Sequence, residues 1–184
     1  MSVGNENLWM GVIDRYYSDN PPLKELLLLH SRLVADKALK IVAAHPELGA
    51  DAAFVEEAAM LHDIGIFLTD AESIHCHGKY HYLCHGYLGA DLLRKEGLPR
   101  HALVAERHTG TGLTLKQILE RDLPVPHRDM VPVSMEEKVV CFADKFFSKT
   151  RPEEVKTVEQ AEKSLAKFGQ EGVLIFRDWC SRFL

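Results

Sequence analysis

The sequence predicts an all-α protein. Apolar residues recur at spacings of three and four along most of the 184 residues, which is the period of one buried helix face. Capping residues, glycines and prolines divide these stretches into helices of ordinary length, and no strand-like alternation interrupts them. A chain of this size can form a sizeable core, and its simplest organisation is one domain over residues 1–184.

Three helices are expected in the first third of the chain, over residues 8–17, 23–44 and 52–63. Pro46 marks the end of the second helix, because a proline disfavours helical backbone in the residue before it. Asp51 is placed to cap the third helix with its carboxylate. Gly65 is expected to end that helix, just after an adjacent histidine and aspartate, His62 and Asp63.

The rest of the chain adds a loop and six more helices. Residues 67–82 lose the helical period and are polar and rich in histidine, so we expect a loop there. Helices are expected over 83–95, 99–108, 114–121, from Ser134 onward, over 157–168 and over 173–183. Ser134 followed three residues later by Glu137 is the capping-box pattern. The C-terminal helices (157–183) are expected to pack on a core formed by about residues 23–150.

The last predicted helix is apolar around much of its circumference. A helix of this kind buries more than one side. We expect it to pack under the first helix, and a homodimer contact is the alternative.

Composition limits the kinds of partner. The chain is 46% hydrophobic and 27% charged, which is ordinary for a soluble globular protein. Its net charge of -5 makes nucleic acid an unlikely partner, because binding to a phosphate backbone depends on clustered Lys and Arg. The charge does not exclude a small anionic molecule held by metal ions.

The sequence also indicates where the protein resides. Its four cysteines are scattered without the spacing of a disulfide framework, which suits a reducing compartment. The N-terminus lacks the pattern of a signal peptide, and no apolar run approaches the length of a membrane span. We therefore expect a cytoplasmic protein without a membrane partner.

Ten histidines are the unusual feature of the composition, and several lie on apolar helix stripes. A lone histidine on such a stripe is usually a core residue with a hydrogen-bond partner. A carboxylate is harder to accommodate, since burying an unpaired charge is costly and no stripe offers a clear Lys or Arg partner. The joint pattern therefore predicts a cation at the centre of the bundle. The predicted ligands, drawn from five helices, are His30, His62, Asp63, His85, His108 and Asp144.

Four imidazoles and two carboxylates suit a borderline divalent metal, namely Mn, Fe, Co, Ni or Zn, bound as one ion or two. Adjacent side chains point about 100° apart on an ideal helix, so His62 and Asp63 cannot both aim straight at one ion there. The geometry loosens at a helix end, and a carboxylate has two oxygens. Asp63 can therefore bind one metal and reach a second, which is the arrangement used in two-metal hydrolysis.

The ordered set of His30, the pair His62-Asp63 and Asp144 resembles the HD-domain superfamily of metal-dependent phosphohydrolases. The tetrapeptide His-Asp-Ile-Gly that begins with this pair matches the HDIG variant of the motif. The resemblance covers roughly residues 28–150. It implies a helical bundle with the metal site at its centre, in which these four residues hold one metal.

The same resemblance implies roles for further residues. In two-metal members, intermediate histidines and a bridging aspartate hold the second ion, and His85, His108 and Asp63 occupy those places. Asp63 would be the catalytic residue that orients the attacking water. The substrate would be a small phosphate ester or nucleotide, cleaved by a phosphomonoesterase or phosphodiesterase reaction. Its phosphate charge would be met by Lys79, Lys145, Lys149 and Arg151, for each of which a solvated surface position is the alternative.

Other functions stay open at this point. Some members of the superfamily are di-iron oxygenases with the same ligand set, and a non-catalytic metal- or nucleotide-binding module is a third alternative. The cyclic-di-GMP phosphodiesterase subgroup has a paired His followed by Gly-Tyr-Pro, whereas a single His108 precedes Thr109 here, so that substrate is not supported. The loop at residues 75–84 is expected to line the active site; a structural zinc site and a plain surface loop are the alternatives.

Overall fold

The structure is a computed structural model that describes residues 5–184. Nine α-helices are found within that range: α1 (Glu6–Tyr17), α2 (Pro21–Ala44), α3 (Ala52–Leu61), α4 (His85–Lys95), α5 (Pro99–Arg107), α6 (Leu115–Glu120), α7 (Met135–Asp144), α8 (Val158–Ala166) and α9 (Gln170–Phe183). The all-α prediction is confirmed, and each predicted helix is present with ends that differ by a few residues. Residues 1–4 of the expected domain lie outside the described part.

Short polar side chains begin several of the helices. Asp51 Oδ1 accepts hydrogen bonds from the backbone N–H groups of Ala53 and Phe54, at 3.0 and 3.2 Å. Ser134 and Glu137 form the predicted capping box, in which each side chain accepts a bond from the other residue's N–H. These bonds satisfy N–H groups that have no partner inside the helix, so they fix where each helix begins.

The core lies between α2, α3, α5 and α7. α2 packs along α3 and along α7, α4 packs along α5, and α5 contacts both α3 and α7. Apolar side chains at these contacts are fully buried, as at Leu27, Val34, Val55 and Val140. Each such side chain contributes about 1.5–3 kcal/mol relative to leaving it exposed. The helices that carry the predicted ligands therefore share one core.

Residues 67–82 are more ordered than the predicted loop. They contain a hairpin of two antiparallel two-residue strands, β1 (Asp70–Ala71) and β2 (Cys76–His77), joined through short 3-10 turns. His75, just before β2, has a φ of 62°, in the left-handed region. Strands of two residues are too short to leave an alternating pattern, which is why the sequence predicted no strand here.

The C-terminal helix packs differently from the expectation. α9 lies mainly against α7 and α8, and not under α1. Phe176 and Phe183 of α9 contact Phe142 of α7, with ring centroids 5.1 and 5.3 Å apart. The spacing of apolar residues shows which face of a helix is buried, but it does not show which neighbour covers it. Leu174 and Ile175 remain 63% and 41% exposed on α9, so the homodimer contact stays a prediction.

α3 ends at Leu61, earlier than predicted, and residues 62–65 form a turn. Gly65 in this turn lies directly against α4. A Cβ atom at Gly65 would stand 2.3 Å from the carbonyl oxygen of His85 and 2.5 Å from the backbone nitrogen of Gly89. Only glycine fits there, so these two glycines let the turn and α4 approach each other closely.

Two further observations concern membrane-spanning helices and the state of the cysteines. No helix among residues 5–184 is long and apolar enough to cross a membrane. The four cysteines, at positions 76, 84, 141 and 180, are free thiols. Burial raises the pKa of Cys141 to about 12, which makes this thiol unreactive at neutral pH.

Candidate metal centre

Six side chains, the same six that were expected as ligands, meet inside the bundle. They form two overlapping groups, and within each group the ligand atoms lie within 4.8 Å of one another. The first group is His30, His62, Asp63 and Asp144, and the second is Asp63, His85 and His108. Across residues 5–184, no other group of three or more His, Cys, Asp or Glu side chains gathers in this way.

The helix ends place most of these side chains. His85 is the first residue of α4, Asp144 is the last residue of α7, and His108 directly follows α5. His30 lies within α2, and its Nε2 is 3.0 Å from Asp144 Oδ1. His62 Nε2 is 3.5 Å from the same oxygen. Residues far apart along the chain are therefore brought together because their helices end at one point in the core.

Asp63 belongs to both groups, and its two carboxylate oxygens face different histidines. Oδ2 is 3.2 Å from His30 Nε2 and 3.1 Å from His62 Nε2. Oδ1 is 3.3 Å from both His85 Nε2 and His108 Nε2. A carboxylate that bridges two metal ions has this disposition, with one oxygen for each ion. The geometry depends on the turn after α3, because an ideal helix would direct adjacent side chains apart.

Backbone carbonyls orient three of the four imidazole rings. Nδ1 of His62, His85 and His108 lies 2.7 Å from the carbonyl oxygen three residues earlier. An Nδ1–H donates to that carbonyl, so Nε2 carries the lone pair and faces the centre of the cluster. His30 lacks such a contact, since its Nδ1 has no hydrogen-bond partner among the described residues.

The cluster fits a metal ion better than it fits a hydrogen-bond network. His85 Nε2 and His108 Nε2 are 3.0 Å apart, and with both protons on Nδ1 two lone pairs face each other. His62 Nε2 and Asp63 Oδ1 are buried without a hydrogen bond of good geometry within the described chain, whereas Asp63 Oδ2 is paired with the ammonium group of Lys149. A cation between these atoms removes the repulsion and satisfies the buried groups. The donor set of imidazoles and carboxylates suits a divalent metal.

Burial and neighbouring charges shift the pKa values of the ligand side chains in opposite directions. Burial disfavours the charged form of His62, but the carboxylates of Asp63 and Asp144 outweigh it and raise the pKa of His62 to about 9. At His85 burial dominates and lowers the pKa to about 3. Burial also disfavours the carboxylate of Asp63, yet the charges of His62 and Lys149 hold its pKa well below the usual range. At neutral pH Asp63 is therefore ionised and His85 is neutral, as metal ligands must be, whereas His62 carries a second proton on Nε2 that a metal ion would displace.

Two of the predicted cations lie at the cluster. Lys149 Nζ is 2.6 Å from Asp63 Oδ2, and Lys145 Nζ is 2.8 Å from Asp144 Oδ2. Lys145 Nζ also donates to the carbonyl oxygen of His108 at 3.0 Å. Burial works against both ammonium groups, but the neighbouring carboxylates outweigh it and raise the pKa of each lysine. Both side chains are therefore charged cations beside the ligands.

The other two predicted cations are not joined to the cluster. Lys79 is exposed, and its ammonium group lies 5.3 Å from the centroid of the Tyr80 ring. Arg151 is exposed and pairs with Glu154 at 2.8 Å. In the part of the chain that the structure describes, neither forms an ion pair with a ligand carboxylate. Their contact with substrate stays a prediction.

The loop at residues 75–84 does not form a metal site of its own. Its three histidines are exposed, whereas its two cysteines are buried. Cys84 Sγ donates to the carbonyl oxygen of Pro124 at 3.1 Å, which accounts for one of these thiols. No grouping of potential ligands is found at this loop within residues 5–184, so the structural zinc alternative has no support.

Two tyrosines that the sequence did not single out support the site. The Tyr17 hydroxyl donates to the carbonyl oxygen of Ile64 at 2.8 Å and so ties α1 to the turn after α3. The Tyr82 ring lies 4.7 Å from the His85 ring and 5.9 Å from Lys149 Nζ. Neither tyrosine belongs to a motif, so no signal in a single sequence marks them.

An all-α bundle that directs four histidines and two aspartates into one cluster in its core defines a class of helical protein that could hold a metal ion there. The HD-domain family matches residues 27–148, which include all six cluster residues. This chain belongs to the HD-domain family. Domains of this family bind divalent metals, and the His/Asp cluster is a group that could hold one.

Three similar proteins come from Methanocaldococcus jannaschii, Picrophilus torridus and Thermoplasma volcanium. The chain is 33% identical over 147 residues to an uncharacterized protein of Methanocaldococcus jannaschii, a match that covers 78% of this chain and 79% of that protein. It is 32% identical to the tRNA (cytidine(56)-2'-O)-methyltransferases of Picrophilus torridus, over 128 residues, and Thermoplasma volcanium, over 125 residues. These matches cover 69% and 67% of this chain but only 33% and 32% of the two enzymes. No solved structure matches the chain.

Proposed function

We propose that this protein is a metal-dependent phosphohydrolase that acts on a small phosphate ester or nucleotide, as a phosphomonoesterase or phosphodiesterase. The observation that carries the proposal is the carboxylate of Asp63, whose oxygens face two separate histidine groups. Paired metal ions that share such a ligand stabilise the attacking and leaving oxygens of an in-line displacement. Membership of the HD-domain family supports this interpretation.

The two groups define which residues would hold the ions. One ion would be held by His30, His62, Asp63 and Asp144, and the other by Asp63, His85 and His108. When bound, the ions supply Lewis-acid activation of a phosphoryl oxygen and of the attacking water. The ligand set is compatible with Mn, Fe, Co, Ni or Zn, as one ion or two.

The residues of the chain itself supply orientation and charge. The ionised carboxylate of Asp63 accepts a hydrogen bond from the attacking water and so orients it. The ammonium groups of Lys149 and Lys145 donate to phosphoryl oxygens, where charge-assisted hydrogen bonds are strong. These two half-buried cations next to the ligands favour a phosphate-bearing substrate.

Cavities lead from the surface to these lysines. One cavity of about 350 Å³ is lined by Tyr82, Ser148 and Lys149, among others. Another of about 170 Å³ is lined by Asp144 and Lys145. A small phosphate ester that enters either cavity meets an ammonium group beside the ligand cluster.

The named activity of the two methyltransferases is not carried over to this chain. The matches cover about a third of each of those enzymes, at 33% and 32% of their length. The HD-domain match and the ligand cluster point to hydrolysis, which is a different reaction class.

The proposal is tested by metal analysis of the purified protein together with a screen of phosphomonoesters, phosphodiesters and nucleotides. We expect release of phosphate or of an alcohol that depends on added Mn, Co, Ni, Fe or Zn, is lost on chelation and returns with metal. Iron together with oxygen-dependent turnover would replace the proposal with a di-iron oxygenase. Tight binding of one compound without turnover of any would indicate a non-catalytic module.

Lys149→Met is expected to lower kcat/KM for the hydrolysed substrate by about 100-fold while the bound metal is retained. The substitution removes one preorganised donor for the phosphoryl group and leaves all six ligands in place. Steady-state kinetics and metal content are measured on the same preparation. Lys95→Met is the matched control, because Lys95 is exposed and has no role at the site, and we expect less than a twofold change. Equal effects of the two substitutions would contradict the role given to Lys149.

A further inference from the structure

A basic pocket lies beyond the part of the chain that the HD-domain family matches. The match ends at residue 148, whereas the pocket is formed largely by residues 151–167. It has a volume of about 390 Å³, which is large enough for a phosphate group. Its polar lining consists of Ser148, Arg151, Glu154, Lys156, Gln160, Lys163, Ser164 and Lys167.

The charge of this pocket is strongly positive. Four of the lining side chains are cations, and the single acid, Glu154, already pairs with Arg151. Lys156, Lys163 and Lys167 form no ion pair with an acidic side chain within residues 5–184. Clustered ammonium groups without counter-charges repel one another, and a bound anion relieves that repulsion.

The basic pocket adjoins the proposed metal centre. Lys156 and Ser164 also line the smaller cavity whose wall includes Asp144 and Lys145. Burial lowers the pKa of Lys156; the charge of Asp144 opposes this, and the like charges of Lys145 and Arg151 reinforce it. Lys156 therefore stands within electrostatic reach of both the pocket and the ligand cluster.

We propose that the substrate carries a second phosphate group, which binds in the basic pocket formed by Arg151, Lys156, Lys163 and Lys167 while the first phosphate lies at the metal ligands. The inference rests on the proposed function, which it narrows from phosphate esters in general to small molecules with at least two phosphates. A monophosphate leaves the basic pocket empty and gains no binding affinity from it.

Binding of non-hydrolysable phosphonates to the metal-loaded protein tests the proposal. Methylphosphonate carries one phosphonate group, and methylenediphosphonate and propane-1,3-diphosphonate carry two at different separations. Isothermal titration calorimetry at a fixed free metal concentration gives each Kd, and the metal content is checked after each titration. We expect at least one diphosphonate to bind about tenfold tighter than methylphosphonate.

The substitution pair Lys163→Ala and Lys167→Ala removes two ammonium groups from the pocket and no ligand of the metal centre. We expect about a tenfold loss of affinity for the diphosphonate and less than a twofold loss for methylphosphonate. The control pair Lys40→Ala and Lys95→Ala removes the same net charge from exposed positions elsewhere and should change neither Kd.

Three results would overturn the inference. They are equal wild-type affinities for mono- and diphosphonates, unchanged diphosphonate binding in the Lys163/Lys167 variant, and an equal loss for both ligands in that variant. Because no bond is broken in these titrations, they are independent of hydrolysis. Selective diphosphonate binding without any phosphatase activity would support the pocket and count against the hydrolase assignment alone.

Discussion

Asp63→Ala abolishes both metal binding and turnover if the proposed centre is correct. The substitution removes a carboxylate oxygen from each of the two ligand groups at once. It also leaves the ammonium group of Lys149 without its partner at 2.6 Å. We expect metal affinity to fall by more than about 100-fold, with metal content at background by inductively coupled plasma mass spectrometry and no detectable turnover.

Asp63→Asn provides a variant of nearly the same size, in case the alanine variant folds poorly. An amide cannot supply the negative charge that two metal ions share, so the same losses are expected. Circular dichroism shows whether each variant keeps its helices. Retention of both metal and turnover in a folded variant would refute the site.

His101→Ala is the matched control for a buried histidine outside the cluster. Its Nε2 lies 3.1 Å from Glu57 Oε2, and its ring contacts Phe54 with centroids 4.8 Å apart. Loss of these contacts should cost about 1–2 kcal/mol of unfolding free energy. Metal content and turnover per folded molecule should be unchanged.

Gly65→Ala is expected to destabilise the protein strongly, although it adds only one methyl group. The new Cβ would lie 2.3 Å from the His85 carbonyl oxygen and 2.5 Å from the Gly89 nitrogen, both of them backbone atoms that cannot rotate away. The turn that follows α3 must then move away from α4. We expect a loss of about 3–4 kcal/mol, seen as a fall of about 10 °C in Tm.

Gly11→Ala is the control for this prediction. Gly11 lies in α1, and a Cβ there would meet no atom within 4 Å. Alanine is the better helix former, so this variant should be more stable by about 0.5–1 kcal/mol. Similar melting temperatures for the two variants would contradict the close approach at Gly65. Lower metal affinity in Gly65→Ala is also expected, because the separation moves His85 relative to Asp63.

The sequence is informative about the fold because a helix with one buried face has apolar residues at a regular spacing along the chain. The apolar stripe of α2 and the capping box at Ser134 are both patterns of residue types at fixed spacing, so they can be recognised in the sequence alone. The identity of the helix that packs against a given helix leaves no such pattern. The prediction that the last helix packs under α1 was wrong for this reason. The hairpin of β1 and β2 was missed because two residues per strand cannot show a period.

The candidate ligands were predictable for a related reason. His30, His85 and Asp144 are polar residues at positions where an apolar residue would complete the stripe, and their shared anomaly indicated one site. The groups that orient the ligands were not predictable. They are backbone carbonyls and the hydroxyl of Tyr17. Every residue has the same backbone carbonyl, so residue types do not show which carbonyl accepts a bond, and Tyr17 belongs to no motif.

The long separation between His30 and Asp144, 114 positions along the chain, has a consequence for the order of assembly. An ion bound by both side chains closes a loop that includes most of the protein, and closing a long loop costs more chain entropy than closing a short one. The complete ligand set exists only after α7 has docked on α2. A chain still emerging from the ribosome therefore lacks this site, and a metal ion that needs all six ligands would bind after this docking and would not start the folding.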